Sequence, residues 1–110
     1  MVTLNKSAQN YSTTEHAGGT CPVAKVANLL SDSWTMLIIR DLLNAPMRFC
    51  ELERSLVGVS SRTLTLKLKK LVTEKVINKD DATHYYSITK QGQNLAEVID
   101  AMRGYGKKWM

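Results

Sequence analysis

Phe49-Cys50-Glu51-Leu52-Glu53-Arg54-Ser55-Leu56-Val57-Gly58-Val59-Ser60-Ser61-Arg62-Thr63-Leu64-Thr65-Leu66-Lys67-Leu68-Lys69-Lys70-Leu71-Val72 decides the fold. In its first part Phe49, Leu52 and Leu56 recur at the spacing of one helical face, while Glu51, Glu53 and Arg54 point elsewhere. This helix is expected to end at Gly58. The turn Val57-Gly58-Val59 then delivers Ser60 as N-cap of a second helix, from about Ser61 to Lys75, with Leu64, Leu68, Leu71 and Val72 on its buried side. Two helices joined by a tight glycine turn are a helix-turn-helix candidate.

Downstream the period changes from helical to alternating. Val76 to Lys79, a polar turn Asp80-Asp81-Ala82-Thr83 and His84 to Ile88 predict a β-hairpin. Thr89 can cap a last helix, along which Leu95, Val98, Ile99, Met102, Tyr105 and Trp109 form one apolar stripe. Upstream, Val23, Val26, Ala27 and Leu30 predict a helix that begins at Pro22, with Thr20 or Cys21 in the capping position. Ser31-Asp32-Ser33 breaks it and supplies N-cap oxygens for the helix from Trp34 to about Asn44, which Pro46 stops. That helix is apolar around most of its circumference, so it is expected at the centre of the core. The fold class predicted is mainly α with a small β-hairpin: a winged helix-turn-helix with an extra helix at each end. Residues 1–19, rich in Ser, Thr, Asn and Gly, read as a flexible N-terminal tail, and 20–110 as one domain.

A step of 100° per residue assigns the faces of the helix after Ser60. Arg62, Thr63, Leu66, Lys69, Lys70 and Thr73 lie opposite the leucines, with Lys67 on one flank and Thr65 on the other. No carboxylate occurs between Ser60 and Thr73. Cations that neutralise phosphates, with Arg and Thr near the helix N-terminus to reach base edges, are what a helix in a DNA major groove requires. Ser60 and Ser61 can add hydroxyl contacts, and Leu66 can meet a thymine methyl group or be covered by a neighbouring element. The same cations could instead form an ordinary solvated face; the glycine turn before them and the hairpin after them favour DNA. Lys79, Thr83 and His84 flank the hairpin tip, where Lys79 and His84 could contact backbone or minor groove while Asp80 and Asp81 would repel phosphate; a hairpin that only packs is the alternative.

The whole chain has 110 residues, fifteen Lys and Arg against ten Asp and Glu, a net charge of +5, and 44% hydrophobic residues. This is the size of a single domain, and the basic balance suits an anionic partner. No apolar run approaches the roughly 20 residues of a membrane span, and the N-terminal residues lack the apolar core of a secretory signal. A soluble cytoplasmic protein without a membrane partner is expected. The two histidines and two cysteines form no metal-ligand spacing, and there is no glycine-rich phosphate loop or nucleophile elbow. No enzyme activity, metal or cofactor is predicted.

Cys21-Pro22-Val23, Trp34-Thr35 with Ile39-Arg40-Asp41-Leu42, Arg48-Phe49 with Glu51-Leu52, Ser55-Leu56, Gly58-Val59-Ser60 with Thr63-Leu64, and Tyr86-Ser87-Ile88-Thr89 with Gly92 appear in this order. Together they resemble the HxlR-type family of winged-helix transcription regulators, over Cys21 to Trp109. The resemblance implies a prokaryotic cytoplasmic homodimer on a pseudo-palindromic operator, with the two recognition helices in successive major grooves. It also implies dimerisation through the terminal helices, here Val23, Val26, Leu30, Leu95, Val98, Ile99, Met102, Tyr105 and Trp109. The chain departs from the family pattern in a short wing without proline, in Lys75 where glycine is common, and in Leu66 where a polar residue is common. Some members respond to oxidants or electrophiles through a cysteine at the position of Cys21, where a helix N-terminus and Lys25 one turn later place positive potential beside the sulfur. Cys21 is therefore a candidate redox sensor, and an oxidant or small molecule a candidate effector. Cys50 is read as a packing residue, with a disulfide to Cys21 of a second chain as the alternative.

Two function classes follow. One is a dimeric, sequence-specific DNA-binding regulator, with thiol-based sensing as a sub-case. The other is a protein-interaction module on a winged-helix scaffold, in which the stripe from Leu95 to Trp109 docks a different protein.

Overall fold

The computed structural model describes residues 21–110; the predicted tail 1–19 and Thr20 lie outside the described residues. Two units are distinguished by their internal contacts, one ending at Ser31 and the other running from Asp32 to Met110. In the first, helix α1 spans Pro22–Leu29, with Cys21 as an N-cap that makes no side-chain capping bond. Pro22 suits this first turn because its missing N–H would have had no helical partner. The Leu30 N–H closes the helix on Val26 O.

The second unit begins with a working cap. The Asp32 carboxylate accepts the Thr35 N–H at 2.9 Å and the Thr35 hydroxyl at 3.1 Å, which fixes the start of α2, Ser33–Asn44. Ala45 turns extended before Pro46, as the residue preceding a proline must. Ile38, Ile39 and Leu42 are buried on α2, which touches the strand Tyr85–Ile88 and the helices Ser61–Thr73 and Ala96–Trp109. It occupies the centre of this unit, as its apolar circumference predicts.

After Pro46 comes β1, Met47–Arg48, then α3, Phe49–Ser55. Glu51 Oε1 accepts the Arg48 N–H at 2.8 Å, satisfying a donor at the helix start. The predicted extension of α3 to Gly58 is corrected: the helix stops at Ser55 because Leu56 already leaves helical geometry. Gly58 then takes a φ of 95°, a left-handed turn that glycine adopts without steric cost. Helix α4 spans Ser61–Thr73 with Ser60 as N-cap.

The predicted hairpin is β2, Ile77–Lys79, paired with β3, Tyr85–Ile88. It belongs to a three-stranded antiparallel sheet of order β1-β3-β2, in which Met47 pairs with Tyr86 and Arg48 with Tyr85. A strand as short as β1 carries no alternation to read.

The single last helix predicted from Thr89 is also corrected. Thr89 caps α5, Lys90–Gln93, by accepting the Gly92 N–H, and a break at Asn94 and Leu95 separates it from α6, Ala96–Trp109. Gly92 is buried, and a Cβ there would come within 2.2 Å of Val76 O. The close approach of α5 to the end of the α4–β2 connection explains why glycine stands at 92. Ile38, Ile39, Leu42, Leu52, Leu56, Leu64, Leu68, Leu71, Val76, Ile77 and Ile99 form the buried apolar core of this unit.

Candidate nucleic-acid interface

The interface begins with α4. Ser60 Oγ accepts the Thr63 N–H at 3.0 Å and donates to Thr63 Oγ1, so the helix starts at a fixed point after the glycine turn. At the other end Lys75 N–H donates to Val72 O and Val76 N–H to Leu71 O, both at 3.0 Å. This paired closure is a Schellman motif, whose first residue beyond the cap is left-handed. Lys75 holds that place with a φ of 65°.

Between these ends Leu64, Leu68 and Leu71 are buried. Val72, predicted beside them, is 37% exposed. At 100° per residue it lies roughly 70° from the centre of the leucine stripe, which places it on a flank.

Opposite the leucines, Arg62, Leu66 and Lys69 follow one another on the exposed face, with Leu66 57% exposed. Among the described residues no ion pair engages Arg62 or Lys69. Several other predicted contacts have partners within the chain. Lys67 Nζ lies 2.8 Å from Asp32 Oδ2, Ser61 Oγ donates to Glu53 Oε2, and Thr65 Oγ1 donates to Ser61 O. Thr63 is half-buried at the cap, and Lys70 is exposed. The face with cations directed outward therefore runs along Arg62, Leu66 and Lys69, with Lys70 beside it.

Asp32 thus serves both as cap of α2 and as partner of Lys67. Partial burial opposes its ionisation, but hydrogen bonds from Lys67, from the Thr35 N–H and from the Thr35 hydroxyl outweigh it and hold the carboxyl below its ordinary value. A second carboxylate positions the helix-turn-helix. Asp41, 8% exposed, accepts the Ser55 hydroxyl at 2.7 Å and the Arg40 guanidinium at 2.8 Å, fastening the end of α3 to α2. The sequence shows Asp32 as a cap and Asp41 only within a motif; the Lys67 partner and the anchoring of α3 are not legible in it.

In the wing, Asp80 Oδ1 accepts the Ala82 N–H at 2.8 Å and the Thr83 N–H at 3.3 Å. These bonds hold the Asp80 carboxyl below its ordinary value. His84, with a φ of 64°, closes the loop by donating its N–H to Asp80 O at 2.7 Å. Lys79 Nζ lies 5.8 Å from the centre of the Tyr86 ring.

The described residues thus form a helix-turn-helix followed by a hairpin, with a cationic second helix. A family model described as HxlR-like helix-turn-helix matches residues 29–110. The chain belongs to the HxlR-like helix-turn-helix family. It is 35% identical to an HTH-type transcriptional regulator of Synechocystis over 84% of this chain and 73% of that one. To the HTH-type transcriptional regulator YvaP of Bacillus subtilis it is 33% identical, over 82% and 89% of the two chains. Among solved structures it is similar to a MarR-family transcriptional regulator from Porphyromonas gingivalis, with 29% identity and a TM-score of 0.78 over 83% of this chain and 94% of that one. It is also similar to quinone-bound YodB from B. subtilis, with 27% identity and a TM-score of 0.74 over 81% and 100%. The chain is thus a winged-helix member of a family of transcriptional regulators rather than of enzymes.

The terminal helices of this HxlR-like chain carry exposed apolar side chains. Val23 and Val26 are exposed on α1, and Val98, Met102, Tyr105 and Trp109 on α6. Ile99, predicted with that stripe, is only 8% exposed and is committed to the chain's own core. Leu30 and Leu95 are half-buried. Both cysteines are free thiols, Cys21 half-buried and Cys50 exposed; the reading of Cys50 as a packing residue is corrected, because the first turn of α3 directs it outward. Among the described residues no His, Cys, Asp and Glu gather into a metal site, and no helix is long and apolar enough to cross a membrane.

Proposed function

We propose that this HxlR-like chain is a homodimeric, sequence-specific DNA-binding regulator that sets α4 of each protomer into the major groove of a pseudo-palindromic operator in the prokaryotic cytoplasm. The observation that carries this reading is the outward line Arg62, Leu66, Lys69, with Lys70 beside it and no carboxylate within α4. Arg62, on the first turn, is at the end of a recognition helix that reaches base edges. Lys69 and Lys70, further along, suit phosphates. Ser60, Ser61, Thr63, Thr65 and Lys67 stand at the helix start and flank, and those with intramolecular partners would exchange them for DNA.

The partner surface proposed for the second copy is the apolar stripe Val98, Met102, Tyr105 and Trp109, with Val23, Val26, Leu30 and Leu95. Large exposed aromatic and aliphatic groups on one helix favour burial against another chain. The test combines light scattering with anisotropy on DNA from upstream of its own gene. A dimer is expected, with Arg62→Ala blurring sequence preference and Lys69→Ala weakening all duplexes alike. Equal wild-type affinity for every duplex would sink the specificity. A monomer without DNA affinity would favour a protein-interaction module instead.

A thiol-sensing sub-case rests on Cys21 at the start of α1, with Lys25 one turn on, and on the similarity to a structure described as quinone-bound. Operator affinity that mild oxidant alters in wild type, but not in Cys21→Ser, is the expected result.

A further inference from the structure

Helix α4 has no carboxylate of its own, but α3 delivers one to its first residue. Leu52 of α3 and Leu56 just after it are buried, which anchors this helix in the core. Because α3 stops at Ser55 and the turn after it doubles the chain back, Ser61 stands beside Glu53, eight residues earlier in the sequence. There Ser61 Oγ donates to Glu53 Oε2. Ser61 is exposed and Glu53 half-buried. Among the described residues no cation pairs with Glu53, so a negative charge without a counter-charge borders the residue next to Arg62.

A serine hydroxyl has one proton to donate and otherwise only accepts. A phosphate oxygen only accepts. Ser61 therefore cannot donate to Glu53 and to a phosphate at once. A phosphate that approaches this hydroxyl also comes within two hydrogen-bond lengths of the carboxylate, roughly 6 Å. The other hydroxyls at the start of α4 are held by neutral groups: Ser60 Oγ donates to Thr63 Oγ1, and Thr65 Oγ1 donates to Ser61 O. Ser61 differs from both in being held by a charged group.

We infer that Glu53 is a built-in competitor of DNA phosphate at the start of α4: it holds the one hydroxyl proton of Ser61 and sets a negative charge against the duplex, lowering affinity for every sequence alike. The inference rests on the DNA-binding reading above and adds to it a brake whose strength does not depend on base sequence. Non-specific binding draws on charge alone, whereas an operator complex also draws on base contacts that the brake leaves intact.

The test measures anisotropy of the full chain on its upstream DNA and on an unrelated duplex over a salt series. Glu53→Gln removes the charge, and its amide can donate to Ser61 Oγ, which frees the hydroxyl proton. This variant is expected to bind both duplexes about threefold more tightly at low salt, the repulsion of two unit charges roughly 6 Å apart in water. The gain is expected to shrink as added salt shortens the Debye length. Glu53→Ala, which removes the carboxylate together with its bond, is expected to raise affinity likewise. Ser61→Ala is expected to cost about fivefold more in the Glu53→Gln background than in wild type, the net worth of one hydrogen bond. Unchanged or lowered affinity in both Glu53 variants, with Arg62→Ala still blurring preference, overturns the brake alone. A gain confined to one duplex also overturns it, since Glu53 would then be reading a base. Wild type that binds no duplex overturns both readings.

Discussion

Asp32 Oδ2 receives Lys67 Nζ at 2.8 Å, so the cap of the central helix α2 is also the partner of a lysine on α4. Three donors converge on one carboxylate: Lys67, the Thr35 N–H and the Thr35 hydroxyl. Asp32→Ala is expected to cost about 1 kcal/mol from the cap, with a smaller addition from the half-exposed ion pair. Because the folded carboxyl is held below 3.8, its contribution is fully present above that value and is lost as pH falls through the lower folded value. Urea denaturation of wild type and Asp32→Asn across the acid range checks this, since the variant should show a shallower acid limb.

The same pair separates two lysines in DNA binding. A phosphate contact from Lys67 must displace Asp32, whereas Lys69 has no such competitor among the described residues. Lys69→Ala is expected to reduce the salt slope by about 0.9 and Lys67→Ala by less. Equal slopes for the two variants would contradict the ordering.

Lys75, within the α4–β2 connection, and Gly92, against its end, are expected to respond in opposite directions. At Gly92 a Cβ would sit 2.2 Å from Val76 O and 3.0 Å from two Ile88 carbons. Backbone must move to admit it, so Gly92→Ala is expected to destabilise by about 1–3 kcal/mol. Lys75 is already left-handed with a φ of 65°, a conformation costing an L residue about 1–2 kcal/mol. Glycine removes that cost but loses more chain entropy on folding, so Lys75→Gly is expected to stabilise by about 1 kcal/mol. Thermal unfolding of both variants should move in opposite directions.

Ser55 donates its hydroxyl to Asp41 at 2.7 Å, and this bond to a largely buried carboxylate fastens α3 to α2. Ser55→Ala is expected to cost about 1.5–3 kcal/mol, the range for hydrogen bonds to charged groups. Chemical denaturation checks the stability, and anisotropy at low temperature checks that the folded variant still binds DNA. A stability equal to wild type would show that the bond contributes nothing.

Much of α4 is legible in the sequence alone. The leucines at 64, 68 and 71 repeat at helical spacing, Ser60 is a capping residue behind a glycine, and the cations fall opposite the leucines; each is a local pattern with a local physical cause. The errors have the opposite origin. Val72 sits on the flank, as its angle from the leucine stripe already implies, whereas Cys50 faces outward because burial depends on which neighbours arrive. Helix α5 ends at Gln93 and α6 begins at Ala96, a break that the apolar spacing from Leu95 to Trp109 does not mark. Strand β1 exists only because β3 is there to pair with it.

By itself, the sequence determined the helices, the glycine turn, the hairpin and the sign of the charge on α4, since propensity, capping and periodicity act within a few residues. Tertiary structure alone decided which of those charges remain outward. It joined Lys67 to Asp32, Ser61 to Glu53 and Ser55 to Asp41. Such pairs require groups far apart in the chain to meet in space, and that meeting is a property of the packed fold.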